Sequence, residues 1–180
     1  MSEISERVGG SKATLYGYFP SKEELFIACI REVSQEEAAA VRLAFAQAKT
    51  IREGLETFGL WRLKLAMTPG GFSVRQMIWS VGMRHIISKM FGDVDPAETT
   101  WGLVATELRK AMASGELRKA DPWSAAQHFR GLLETEATDR YFFQYPTPVD
   151  DRTTETMALL AADVFMRAYG PDVGSANRKA

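Results

Sequence analysis

The sequence predicts an all-α protein, and three kinds of observation lead to this fold class. Apolar residues recur at intervals of three and four along almost the whole chain, which is the period of amphipathic helices. Polar N-cap residues, each followed three positions later by an acid or amide, mark helix starts, while glycine and proline separate the periodic segments. No two alternating segments are joined by a two-residue turn, so nothing indicates a β-hairpin.

The predicted helices follow one another with short breaks. The expected ranges are 2–8, 12–18, 22–48, 51–67, 73–91, 96–114, 122–143 and 151–169. Four starts rest on capping boxes, formed by Ser21 with Glu24, Thr50 with Glu53, Ser73 with Gln76, and Asp95 with Glu98. Ser11 and Asp121 are further N-cap candidates.

Apolar stripes indicate which helix faces are buried. One stripe comprises Ile51, Leu55, Phe58, Trp61 and Leu65, and another comprises Trp101, Val104, Leu108 and Met112. The last predicted helix carries Met157, Leu160, Ala161, Val164 and Ala168. Each stripe is expected to face an interior or a partner.

Composition narrows the class of protein. The chain has 180 residues, of which 46% are hydrophobic, enough for one or two packed domains. Its single cysteine, Cys29, excludes an internal disulfide and is expected to be a small core residue. No secretion signal, membrane span, metal-ligand spacing, nucleophile–base pair or phosphate loop appears, which indicates a cytoplasmic protein without cofactor or metal that is not an enzyme.

The most informative segment is ISERVGGSKATLYGYFPSKEELF, residues 4 to 26. A short helix, a glycine turn, a second short helix and a capped third helix follow there without spare residues, as in a helix-turn-helix. Gly9 supplies the backbone freedom that the turn needs. Lysine charge and tyrosine hydroxyls on the second helix and just after it suit contacts to phosphates, while alanine and threonine methyl groups suit thymine.

This segment closely resembles the DNA-binding segment of TetR-family regulators, with its I-A-x-x-A-G-V-S-x-x-T-L-Y-x-x-F-x-x-K-x-x-L pattern. Gly10 departs from the pattern, which usually has valine there. The resemblance implies double-stranded operator DNA as a partner, with Ser11 to Tyr18 as the recognition helix and Lys22 on a phosphate. The DNA-contacting residues are then Ser11, Lys12, Ala13, Thr14, Tyr16, Tyr18 and Lys22.

Two features of the N-terminal region depart from a simple DNA-binding domain. Residues 1 to 32 carry four basic and five acidic side chains, so this segment does not form a basic patch. The net charge of the whole chain is −1, so the chain as a whole is not basic either. The family also places a basic arm and another apolar helix ahead of the helix near Met1. We therefore expect that the chain as given begins after the first helix of the family.

A weaker resemblance to the C-terminal domain of a TetR subgroup covers residues 50 to 145, through TELRKAMASGELRKADPWSAAQHFRGLLE. It implies a DNA-binding part with its connecting helix at 1–48 and a ligand-binding and dimerisation bundle at 49–180. It implies a homodimer with interface residues Phe129, Leu133, Met157, Leu160, Ala161, Val164 and Ala168. The same stripes are also what an intramolecular core would need.

An apolar cavity in the bundle would suit a small apolar or aromatic effector. Its candidate lining is Phe58, Trp61, Met77, Val81, Trp101, Leu108, Met112 and Phe129. The resulting interpretation is a homodimeric transcriptional regulator, a repressor by family resemblance, that leaves operator DNA when it binds its effector. The alternative is a helical ligand-binding dimer that has lost DNA binding. The sequence identifies neither effector nor operator.

Overall fold

The structure is a computed structural model that describes residues 2–7, 9, 11–68, 70, 95–142 and 150–171. Within those residues every regular element is helical, and no strand occurs. The α-helices are α1 (Ser2–Arg7), α2 (Lys12–Tyr18), α3 (Lys22–Gln47), α4 (Ile51–Ala66), α5 (Thr100–Ser114), α6 (Pro122–Phe142) and α7 (Asp151–Tyr169). The predicted all-α class is confirmed.

Local capping explains why most predicted starts agree with the structure. The Ser11 hydroxyl accepts a hydrogen bond from the Thr14 N–H at 3.0 Å, and the Ser21 hydroxyl accepts one from the Glu24 N–H at 3.1 Å. Thr50 caps α4 in the same way, at 3.2 Å from the Glu53 N–H. These bonds satisfy N–H groups that have no partner inside the helix. The predicted helix 73–91, with Ser73 and Gln76, lies outside the described residues.

The start of α5 is the main correction to the predicted helices. A helix beginning at residue 96 is wrong, because Pro96–Glu98 form a 3₁₀ turn and the α-helix begins at Thr100. The Thr99 side chain joins the two pieces, donating to the Pro96 carbonyl at 2.7 Å and accepting from the Gly102 N–H at 3.1 Å. Thr99 thus competes successfully with Asp95 as the N-cap of the α-helix.

The hydrophobic core lies among α4, α5, α6 and α7, with a contribution from the C-terminal end of α3. Its largest completely buried side chains include Phe58, Leu108, Phe129 and Phe165. The rings of Phe129 and Phe165 meet edge to face, with centroids 5.6 Å apart. From α3 only the region from Val41 onward joins this cluster, so α1, α2 and the first half of α3 lie outside it.

Cys29 corrects another expectation, since its side chain is exposed rather than part of a core. The buried positions on this part of α3 are Phe26 and Ile30. Cys29 precedes Ile30 by one residue, so its side chain points about 100° away from that of Ile30 around the helix axis. In the described part of the chain, none of the helices combines the length and the apolar character needed to cross a membrane.

Candidate nucleic-acid interface

The α2 helix has no buried residue. The chain enters it through Gly9, whose φ of +73° lies in the left-handed region that favours glycine. It leaves through Phe19, whose N–H donates to the Leu15 carbonyl at 2.9 Å. Leu15 and Phe19 are half-buried and anchor the inner side of the segment.

The seven predicted DNA-contacting side chains all lie on the surface, as expected for a site that binds a large polyanion. They are Ser11, Lys12, Ala13, Thr14, Tyr16, Tyr18 and Lys22. Tyr18 is 77% exposed and Tyr16 is 43% exposed, so neither phenol is used to fill the core. The Thr14 hydroxyl is hydrogen bonded to the Ser11 hydroxyl at 2.8 Å. The DNA contacts themselves stay a prediction.

Six of the eight candidate pocket residues are described, and they differ in burial. Phe58, Leu108 and Phe129 are completely buried, Trp101 and Met112 are nearly so, and Trp61 is half-buried. The Phe58 ring stands edge to face against Trp101 at 5.7 Å and stacks with Trp61 at 6.4 Å. Met77 and Val81 lie outside the described residues. The structure therefore brings the others into one hydrophobic cluster, while their role in ligand binding stays a prediction.

A groove of about 270 Å³ lies elsewhere, between the α3–α4 turn and α5. Phe45, Thr50 and Ile51 line one side, and Glu107, Lys110 and Glu116 line the other. None of the six described candidate pocket residues borders it. Its polar groups already bond one another, since Glu116 accepts from the Ile51 N–H and Lys110 contacts Glu107.

The predicted dimer residues separate into buried and exposed sets. Phe129, Leu133, Met157 and Ala161 are at most 9% exposed in the single chain. These side chains belong to the core of one chain and would add almost no area to a subunit interface. Their role in the dimer stays a prediction. Leu160 and Val164 are 60% and 46% exposed, and Ala168 is also exposed.

Sequence reasoning missed a buried ionic cluster. Arg62 on α4 lies between Glu37 of α3 and Glu134 of α6, and its Nε donates to Glu134 at 2.7 Å. Burial opposes the positive charge, but the two carboxylates outweigh that effect and raise the pKa of Arg62 above its ordinary value. The sequence contains one sign of this cluster. Arg62 follows Phe58 by one turn, so a charged side chain lies on an otherwise apolar helix face and needs a buried partner.

Comparison with known proteins decides the family. Residues 53–171 match the sequence model of the C-terminal domain of AefR-like transcriptional repressors. Residues 1–29 match the model of bacterial regulatory proteins of the tetR family. The chain belongs to the TetR family. This places α1, α2 and the start of α3 in the family's N-terminal region, and α4 to α7 of this TetR-family chain in the matched C-terminal domain.

Individual relatives agree with this assignment. The HTH-type transcriptional regulator RutR of Escherichia coli K12 is 29% identical over 143 residues, covering 72% of this TetR-family chain. The matched part spans 63% of the length of RutR. RutR of Shigella flexneri matches equally.

Solved structures show the same fold. A Mesorhizobium loti protein described as a TetR-family transcriptional regulator has a TM-score of 0.75 at 21% identity, over 94% of this chain and 85% of its own. The flavonoid-responsive regulator FrrA has a TM-score of 0.61 at 24% identity, over 96% of this chain and 87% of its own.

Proposed function

We propose that this chain is a homodimeric transcriptional repressor that binds operator DNA through α2 and releases it when a small apolar ligand binds between the C-terminal helices. The proposal keeps residues 1–48 as the DNA-binding part and 49–180 as the ligand-binding and dimerisation part. The function requires no catalytic step, and such a regulator acts in the cytoplasm, where bacterial DNA lies.

The exposure of α2 is the observation that carries the proposal. A seven-residue helix is marginal in water, so it stays ordered through the Ser11 cap and the half-buried Leu15 and Phe19. Its outer side is thereby free to enter a major groove. Exposed Tyr18 and Lys22 stand at the end of α2 and the start of α3, where they would contact phosphates on the flank of the groove.

A dimer is supported by apolar surface on α7. Leu160 and Val164 lie one turn apart and are both largely exposed, which a small monomer would leave as an apolar patch. Leu132 of the neighbouring α6 is 42% exposed as well. Pairing α6 and α7 with their symmetry mates would cover these side chains in a four-helix arrangement.

The effector is proposed to be apolar or aromatic because the cluster around Phe58 and Trp101 is rich in aromatic side chains. The name of FrrA says that this structural neighbour responds to flavonoids. We therefore choose the flavonoid quercetin as the first probe, with quenching of tryptophan fluorescence as the readout. Trp101→Phe should weaken the response more than DNA binding, whereas equal losses in both would argue against a pocket at Trp101.

Selection of duplexes from a random library by the purified chain tests DNA binding. Enrichment of an inverted repeat, with half-sites about one helical turn apart, is the expected result. Footprinting on the enriched duplex should protect both half-sites. If no sequence is enriched while the chain is folded and dimeric, the DNA-binding proposal fails and the alternative, a ligand-binding dimer without DNA function, replaces it.

A further inference from the structure

The cluster around Arg62 joins helices that are distant in sequence. Glu37, Arg62 and Glu134 have side chains only 14%, 12% and 9% exposed, so their bonds are largely shielded from water. Arg62 uses Nη1 for Glu37 and Nε for Glu134, which holds the guanidinium between the two carboxylates. A planar guanidinium fixes the directions of both bonds.

Further contacts extend the cluster to α5. The buried Thr100 hydroxyl donates to the second oxygen of Glu37 at 2.8 Å. On the other side, Arg130 approaches Glu134 at 3.4 Å, and its guanidinium lies over the Trp101 ring at 5.6 Å. Thr100 and Trp101 are neighbours on α5, so the contacts run from α5 through α3, α4 and α6 and return to α5.

Glu37 occupies a special place on α3. It lies about one turn before Val41, which is the first residue of α3 in the hydrophobic core cluster. Phe26 and Ile30, nearer to α2, are buried outside that cluster. Glu37 is therefore at the point where α3 leaves the core of the C-terminal domain and continues toward α2.

The directional hydrogen bonds and ion pairs around Arg62 stabilise the helix arrangement in a different way from apolar packing. Hydrophobic contacts stabilise many arrangements of similar buried area, because they are not directional. A buried ion pair adds little net stability, since the desolvation of its charges offsets their attraction, but it favours one arrangement over others. The cluster is thus suited to fixing an angle rather than to adding stability.

We propose that Glu37 is a positioning residue whose bonds to Arg62 and Thr100 set the angle at which α3 carries the recognition helix away from the core. The inference rests on the proposed function. From Glu37 to Lys22 the helix is about 22 Å long at 1.5 Å per residue, so a tilt of about 10° moves the Lys22 end by about 4 Å. A displacement of that size in each subunit would misalign two recognition helices with their half-sites.

The exposed Cys29 allows this angle to be measured directly. It is the single cysteine of the chain and lies on α3 between Lys22 and Glu37. A second cysteine at the exposed position of Lys119, as Lys119→Cys, reports on the C-terminal domain. Spin labels on both, in chains diluted with excess unlabelled protein, give the distance within one subunit by double electron–electron resonance.

Glu37→Ala is the test variant, and Glu36→Ala is its matched control. Both remove one glutamate from α3, but Glu36 is exposed. In Glu37→Ala the Arg62 charge keeps Glu134 as its partner, so the chain is expected to fold. We expect a broadened or shifted distance distribution and about tenfold weaker binding to the selected duplex for Glu37→Ala, in the range of mutations that alter coupling. Glu36→Ala should match the parent in both measurements.

An unchanged distance distribution in Glu37→Ala would overturn the proposal. This holds even if the melting temperature falls, because Glu37 would then contribute to stability without setting the angle of α3. If Glu37→Ala fails to fold, Glu37→Gln replaces it, because the amide retains hydrogen bonding and loses only the charge. A chain that enriches no duplex would contradict the proposed function alone. The distance measurement would still decide the role of Glu37.

Discussion

Tyr18 and Lys22 illustrate what single residues contribute to the proposed interface. Both are exposed, and neither is placed by packing against the core. Residues of this kind interact with phosphates at many sequences, because the DNA backbone is the same everywhere. Thr14 differs, since its hydroxyl is already bonded to Ser11 and its methyl group is the part suited to a thymine methyl.

Lys22→Ala should weaken binding to every duplex by a similar factor and reduce the slope of log affinity against log salt by about one unit, because one phosphate contact is lost. Tyr18→Phe should weaken binding without changing the slope. Fluorescence anisotropy over a series of salt concentrations measures both. Lys119→Ala removes an exposed lysine far along the chain from α2 and serves as the control. Identical affinities and slopes in all variants would remove Tyr18 and Lys22 from the interface.

Two helix-capping aspartates predict how stability depends on pH. Hydrogen bonds from Ser124 lower the pKa of Asp121, and hydrogen bonds from Thr153 lower the pKa of Asp150. A pKa that is lowered in the folded state means that the hydrogen bonds stabilise the fold fully when the pH is above the pKa of the unfolded chain. It is lost as the pH falls below about 4 toward the folded value.

Asp150→Asn should therefore change stability little at pH 7, because asparagine also caps helices. Below about pH 4 the variant should lose less stability than the parent chain. Urea unfolding at a series of pH values measures this, with Asp139→Asn as a control at an exposed aspartate. If stability falls with pH in parallel for the parent and Asp150→Asn, folding does not lower the pKa of Asp150.

At the scale of elements, α5 shows how neighbouring structure sets a helix boundary. Gly102 approaches the preceding 3₁₀ turn so closely that an added Cβ would lie 1.9 Å from the Pro96 carbonyl oxygen and 2.8 Å from the Ala97 Cα. Both contacts are with backbone, which cannot move aside as a flexible side chain would. The glycine therefore permits the sharp passage from the turn into α5.

Gly102→Ala should lower the free energy of unfolding by about 1–3 kcal/mol, the usual cost of overpacking a tight site. Thermal unfolding followed by circular dichroism is the measurement. Gly17→Ala on α2 is the control, because a Cβ there meets nothing within 4 Å. The control should retain or raise stability, since alanine favours helix over glycine. A Gly102→Ala chain as stable as the parent would mean that the turn relaxes freely.

For the whole molecule, the exposed apolar face of α7 determines the expected assembly. Leu160→Glu should convert the proposed dimer to a monomer, because an unpaired charge in a desolvated interface costs roughly 3–5 kcal/mol. Leu43→Glu is a matched control, since Leu43 on α3 is 58% exposed and Leu160 is 60% exposed. Sedimentation velocity distinguishes the species. A parent chain that sediments as a monomer, or a Leu160→Glu chain that stays dimeric, would contradict the interface.

The features that could be predicted from the amino-acid sequence are those that depend on a few neighbouring residues. Helical periodicity and side-chain caps act within about four positions, which is why α2 and α3 begin where Ser11 and Ser21 predict. The exposed helix α2 could likewise be located from its compact pattern. The exception was α5, where Thr99 displaced the predicted cap because of how the chain folds back on Gly102.

Tertiary structure alone decided which distant residues meet. Arg62 is separated by 25 residues from Glu37 and by 72 residues from Glu134, so no local pattern specifies these bonds. It also decided which residues of an apolar stripe remain exposed. Met157 and Leu160 belong to the same stripe, but Met157 is buried and Leu160 is exposed. The physical reason is that hydrophobic periodicity indicates which helix face must be buried. The packing of the helices in three dimensions determines which residues that face contacts.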